Sequence, residues 1–508
     1  MLSALALFFA VGQMKAINSL FLKNFGKFRL YFLKKSGIIL KALFLKSYGG
    51  RFLSNAKLSK DFTKGNILRQ LILFSLPFMA SNALQVLYST IDMIIVGKFV
   101  GTAGLSAVSQ SSLIINFGAM VCLGISNAGQ VLISQALGAG KKREMNNIIG
   151  TLFVYVSAVA VFISLVIVFF YNGILHAINI PDESYAMSVD YLIICGAGMI
   201  FTAGYNMVSA VLRGMGDAKR PFIFILIASV VNLVLDLLFT GLLGWGVAGA
   251  AWATIIGQAA SFIFSIFYLY RRKEEFGFDF HPSSFKPSKR YVSMITSLGM
   301  PMAIQSAAIN LSMIFVNSMI NDLGVVESAS FGVGCRIDDI INKISMGVQY
   351  AAMPMISQNL GAGDNKRAKE VVYKTWIVSV ILTAIFMTLY LTIGRQFFML
   401  FSDDPLVHAM APTFISAIIW MFPAFTIMRG SGAFVQGIGN AKLCMILALL
   451  DGVVLRIGLS WLFGSVLGLG FFGFVLGYGL APYGFSIPSL IYFLSGKWEK
   501  QKSLADRM

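Results

Sequence analysis

The sequence predicts an all-α integral membrane protein, with twelve transmembrane helices in two pseudo-symmetric six-helix bundles. Three observations carry that prediction. Of 508 residues, 57% are hydrophobic and only 12% are charged, where soluble domains carry about 25% charged residues. Beyond Ile67 the chain holds twelve apolar segments, each long enough to cross a bilayer as a helix. The second half then repeats motifs of the first at a fixed offset.

Residues 1–60 stand apart. They hold eleven Lys or Arg and no acid, and without them the net charge of +18 shrinks to a balance of 29 basic against 22 acidic residues. The leading MLSALALFFAVGQM lacks a positive n-region and makes a poor signal peptide. The basic, aromatic stretch that follows suits an anionic membrane surface. It fits equally well an extension the working protein does not need, and less well a cleaved targeting signal. The rest of the positive charge sits in short loops, so nucleic acid is not an expected partner.

The predicted spans cover 67–96, 106–136, 148–171, 188–211, 221–240, 247–270, 293–320, 329–357, 372–393, 409–434, 443–463 and 470–495. Alternate loops carry the basic residues, among them Lys141–Arg143, Arg213–Arg220, Arg271–Arg290 and Lys366–Lys369. The opposite loops offer little beyond Lys98 and Arg395. By the positive-inside rule both termini face the cytoplasm. ISQALGAG at Ile133–Gly140 returns as ISQNLGAG at Ile356–Gly363, and VLRGMGDAK at Val211–Lys219 returns as FVQGIGNAK at Phe434–Lys442, both 223 residues on. Both copies fall on one side of the membrane, so the halves are parallel repeats about an axis along the membrane normal. The domains are therefore 61–275 (first lobe), 276–292 (linker), 293–498 (second lobe) and 499–508 (tail).

The first span carries Ser81, Gln85, Tyr88 and Asp92 at spacings of four, three and four, one stripe of a helix. Such a stripe ending in a carboxylate lines something wet or binds something charged. Alternatively, Asp92 marks the membrane interface, since it lies roughly 37 Å along the helix from Ile67. In the fifth span Asn232 precedes Asp236 by one helical turn. Asp236 sits ~22 Å along that span, inside the hydrocarbon, where an ionisable group is costly and usually functional. The competing reading is hydrogen bonding between helices.

Pro77, Asp92 and Gly97, the ISQALGAG loop, LRGMGDAKRP and the NLVLD of the fifth span together are similar to the multidrug and toxic compound extrusion (MATE) family. The similarity spans about residues 59–498. It implies export of amphipathic, often cationic small molecules by rocking of the two lobes, coupled to H⁺ or Na⁺, in a bacterial inner (plasma) membrane. The coupling role of the family's first- and fifth-span acids is carried to Asp92, Asn232 and Asp236, which could take up a proton or hold Na⁺. Gln85, Tyr88, Tyr205 and Asn206 are cavity-wall candidates or interhelical hydrogen-bonders. No cofactor is expected, and membrane lipids and substrate are the partners of a working monomer.

The second half departs from the first. Val316 and Leu459 stand where the repeat would place counterparts of Asp92 and Asp236, which makes coupling through those spans doubtful. The eighth span instead carries Arg336, Asp338, Asp339 and Lys343. Spacings of three (Arg336 to Asp339) and four (Asp339 to Lys343) suggest local ion pairs with a structural or gating role. Arg429 and Arg456 are isolated cations for which Asp339 or Asp451 are possible partners. Cys122, Cys195, Cys335 and Cys444 lie singly, supporting neither a zinc site nor disulfides. His176, His281 and His408 are predicted in loops. An enzyme is not expected: GAGKKR lacks Walker A spacing. DDIIN at Asp338–Asn342 is a thin basis for a prenyl transferase binding Mg²⁺–diphosphate. Within transporters, a lipid-linked saccharide flippase is the near alternative, though its cavity should be more basic.

Overall fold

The computed structural model describes residues 59–508, apart from Asn179 and Lys502; the reading of residues 1–58 lies outside it. Among the described residues, the secondary structure is wholly helical. The first lobe consists of α1 (Ile67–Phe99), α2 (Thr102–Gly138), α3 (Lys142–Ala177), a broken α4 (Asp182–Ala197 and Met199–Gly214), α5 (Lys219–Leu242) and α6 (Gly246–Arg271). The second consists of α7 (Lys289–Asn321), α8 (Val325–Gly361), α9 (Asn365–Phe401), a broken α10 (Pro405–Ile418 and Met421–Ile438), α11 (Ala441–Val466) and α12 (Gly470–Leu494).

Local chemistry explains many of the boundaries. Asn66, Asp364, Asp404 and Asn440 cap the N-termini of α1, α9, α10 and α11 by accepting from backbone N–H groups two or three residues on. Such side chains satisfy donors that have no partner in the first helical turn. The structure corrects the sequence reading in several places. Spans four and ten are not continuous: they bend by 46° and 48° at equivalent positions of the two repeats. Asp236 is the last α-helical residue before a π-helical turn, Leu237–Leu242, and α11 contains two such turns. His176 and His408 lie within helices rather than loops. The linker is not an open loop either. Phe276 and Phe278 are buried and join Phe280, Phe285 and Phe153 in an aromatic cluster that docks it on α3.

Packing follows the repeat. In the first lobe α2 packs on α3 and α4, α5 on α1 and α6; in the second α8 packs on α9 and α10, α11 on α7 and α12. Between lobes, α1 lies against α8 and α7 against α2, with α2 and α8 crossing each other. At that crossing a Cβ on Gly138 would fall 1.9 Å from the Gln358 carbonyl oxygen, and a Cβ on Gly361 2.1 Å from that of Gln135. Higher up, Gly124 touches the backbone of Gly299 and Ala303, while Gly347 touches that of Met79. Backbone-to-backbone approach of this kind is how membrane helices pack without a hydrophobic driving force between them.

Buried charge in the second lobe is paired in one place and not in another. Arg456 Nη2 meets Asp451 Oδ1 at 2.9 Å, with both side chains buried and the guanidinium over the Tyr478 ring. Arg429, 3% exposed, has no acid partner among the described residues; it donates to side-chain oxygens of Asn342, Ser345 and Gln349 on α8. Removing one member of a buried ion pair strands the other. Asp451→Ala should therefore cost about 3–5 kcal/mol, read as a lower melting temperature in detergent, and Arg456→Met with Asp451→Leu should recover most of it.

Candidate functional site

The first-lobe acids meet. Asp92, seven residues from the end of α1, and Asp236, at the α-to-π junction of α5, are 8% and 1% exposed. Their carboxyl groups are in side-chain contact. Asp92 Oδ1 and both oxygens of Asp236 are buried with no hydrogen-bond donor among the described residues. Burying a carboxylate oxygen without a donor is costly, and ionisable groups at such depth in a membrane protein are commonly functional.

Neutral oxygens surround the pair. Asn232 lies beside Asp236 and donates through Nδ2 to Thr254 Oγ1 on α6, 3.3 Å away. Gly257 on α6 lets α5 come this close, since a side chain there would press on the Asn232 backbone. The Tyr88 ring lies within electrostatic reach of both acids and of Tyr205. A narrow crevice, too tight to admit water, runs on from it, lined by Ile225, Ala228, Ser229, Asn232, Thr254 and Gln258. Tyr191 and Cys195, on the first half of α4, lie within electrostatic reach of Asp92. The sequence reading missed Thr254, Gln258, Tyr191 and Cys195. Gln258, an amide within the sixth apolar run, was the one carrying a visible signal.

Not every expected residue joins the site. The stripe on α1 divides: the Ser81 hydroxyl bonds back to its own helix at Pro77 O, 2.8 Å. Gln85 is exposed, and neither it nor Asn206 makes a hydrogen bond among the described residues. The charge cluster on α8 also splits. Asp339 and Lys343 form the expected i, i+4 pair at 2.8 Å, half-exposed. Arg336 does not pair with Asp339; it points across the lobes to Met93 Sδ on α1, 3.6 Å away. Asp338 turns inward instead, 5% exposed, accepting from Tyr390 OH at 2.9 Å. Neighbours on a helix are about 100° apart, so Asp338 and Asp339 cannot share a face. Val316 and Leu459, in place of second-lobe acids, sit in apolar surroundings.

A duplicated bundle of twelve membrane helices, with a buried acid pair in one half, defines a membrane transporter. The chain belongs to the MatE family, the MATE transporters: the family model matches residues 77–238 and again 301–462, once per lobe. It is 30% identical over 449 residues to a probable multidrug resistance protein, YpnP of Bacillus subtilis, covering 88% of this chain and 99% of that one. It is 26% identical to the multidrug export protein MepA of Staphylococcus haemolyticus, covering 80% and 89%. The fold matches an outward-facing multidrug resistance MATE family transporter of the MOP superfamily with a TM-score of 0.80, at 21% identity, over 86% of this chain and 98% of that one. A MATE structure in the straight conformation matches with a TM-score of 0.81, at 20% identity, over 87% and 98%.

Proposed function

We propose that this protein is a cation-coupled antiporter that exports amphipathic, cationic small molecules by alternating access. The observation that carries the reading is the Asp92–Asp236 contact, two buried carboxyl groups with unpartnered oxygens. Two ionised carboxylates in contact repel each other, and one proton converts the clash into a hydrogen bond. Proton uptake at the pair would therefore remove negative charge from the first lobe. Competition between that proton and a cationic substrate would couple the two fluxes. The multidrug names of the relatives support the substrate class.

The oxygens of Asn232, Tyr88 and Thr254 beside the pair favour Na⁺ as a second reading, since a hard cation takes several oxygen ligands. One chain supplies both lobes, so a monomer in lipid suffices. The basic end, carrying Lys141–Arg143 and Lys366–Lys369, faces the cytoplasm in this reading. The discriminating experiment is dye efflux from proteoliposomes under an imposed pH gradient and, separately, an imposed Na⁺ gradient. Export driven by the pH gradient alone is expected. Dependence on Na⁺ alone would select the second reading, and no response to either would remove cation coupling.

A further inference from the structure

Two short segments at the basic end lie outside the repeat but contact residues that are related by it, 223 positions apart. Before α1, Lys60 N donates to Met215 O at 2.8 Å, and Phe62 packs on Gly216 in the turn between α4 and α5. Phe62 is fully buried and rests on Phe74. Its backbone is then held by the other lobe. Phe62 N donates to Gln358 Oε1 at 3.0 Å, and Phe62 O accepts from Asn359 Nδ2 and Arg367 Nε. Arg367 Nη2 also donates to Gly65 O at 2.8 Å. An Asx turn, with Thr63 N and Oγ1 donating to Asp61 Oδ1, fixes the loop. The Thr63 hydroxyl also holds the Asp61 carboxyl below its ordinary pKa.

After α12 the arrangement recurs with the lobes exchanged. Leu504 packs on Gly439, the counterpart of Gly216, in the turn between α10 and α11. Both glycines adopt a positive φ, 91° and 74°. Ala505 N donates to Gln135 Oε1 at 3.2 Å, and Ala505 O accepts from Lys141 Nζ at 2.7 Å. Gln135 and Gln358 are the equivalent glutamines of the two ISQ motifs. The tail is rooted in its own lobe by Trp498, buried against Phe434 and Phe493, and by the Lys369–Glu499 ion pair at 2.7 Å. Only a few residues separate that root from the grip of the first lobe.

We propose that these segments are a pair of matching straps, one from each lobe, that hold the lobes together at the basic end and must release once per transport cycle. Each is carried by one lobe, seats on that lobe's own glycine turn, and gives its backbone to the glutamine of the other lobe. Rocking that parts α2 from α8 at Gly138 and Gly361 moves Gln135 away from Ala505 and Gln358 away from Phe62. The straps are thus a built-in resistance to opening at this end. The inference rests on the alternating-access reading.

The test uses the full chain with Cys122, Cys335 and Cys444 replaced by serine or alanine, while Cys195, buried beside Asp92, is kept as a constant background. Met79→Cys, at a side chain packed on Gly347 between α1 and α8, reports opening through its labelling by an impermeant maleimide from the basic side. The parent should label in a gradient-dependent way, and deletion of residues 503–508 should raise the rate at least fivefold at a fixed gradient. Gradient-dependent labelling in the parent with an unchanged rate in the deletion overturns the straps alone. Gradient-independent labelling in both overturns the straps together with the rocking motion. A second variant guards against misfolding: Lys141→Cys with Ala505→Cys, bridged by a short bis-methanethiosulfonate. Dye export should fall to background on bridging and return with dithiothreitol. Export that continues at the parent rate while bridged would show that the tail need not release.

Discussion

Asp236→Asn is expected to reduce dye export to background while insertion and folding are retained. The substitution keeps volume and shape and replaces a carboxyl group with an amide. If Asp236 served only to hydrogen-bond its neighbours, the amide would do so at least as well, because it brings its own donors to a place where the carboxylate oxygens have none. A structural role thus predicts equal or better stability with export intact. A coupling role predicts equal or better stability with export gone, since an amide cannot exchange a proton or offer a full negative charge. Thermal unfolding and efflux measured on one preparation separate the two. Asp92→Asn should behave in the same way, because the acids work as a contact pair. The double variant should be little worse than either alone, as expected of groups that act as a unit.

Gly138→Val should be comparably severe for a different reason. In an isolated helix, replacing Gly with a residue that has a side chain is favourable by a few tenths of a kcal/mol to ~1 kcal/mol. Here the new Cβ meets the Gln358 carbonyl oxygen at 1.9 Å, and that atom is backbone in a buried helix and cannot swing aside. The lobes must separate by more than 1 Å to reach van der Waals distance, estimated from the ~3.3 Å of a close carbon–oxygen contact. Two signatures are expected: faster maleimide labelling of Met79→Cys from the basic side, and export falling to near background. Gly361→Val should match it from the other half. Gly173→Ala is the control: a Cβ there meets nothing within 4 Å, so the helix-propensity gain should show as unchanged or slightly raised stability with normal export.

The membrane class, the twelve spans and the duplication were readable from the chain because apolar run length and repeated motifs are local or alignable signals. The approach of Asp92 to Asp236 was within reach as well, since both fall at similar depth on helices of one lobe. What the chain did not announce were features set by contact across lobes. ISQALGAG and ISQNLGAG are plainly copies of each other, but their spelling does not say that each copy is packed against the other. Nor did hydropathy separate Asp338 from Asp339; only the helical turn of 100° per residue does that, and applying it would have sent one inward and one outward. Breaks at equivalent points of α4 and α10, and the π turns after Asp236 and in α11, depend on how neighbouring helices press on the backbone. Thr254 and Cys195 carried little signal because small, weakly polar residues are ordinary in membrane helices.

The reciprocal seating of Gly138 on Gln358 and Gly361 on Gln135 has an evolutionary consequence. A surface in which one patch meets its own copy is isologous, the kind of interface found in two-fold homodimers. A six-helix half bearing that patch could therefore pair with a second copy of itself before any fusion joined them. Once both halves lay on one chain, each could change without its twin changing too. One half holds a carboxyl pair where the other has Val316 and Leu459 in the corresponding places. The seam is symmetric, and the carboxyl pair lies on one side of it.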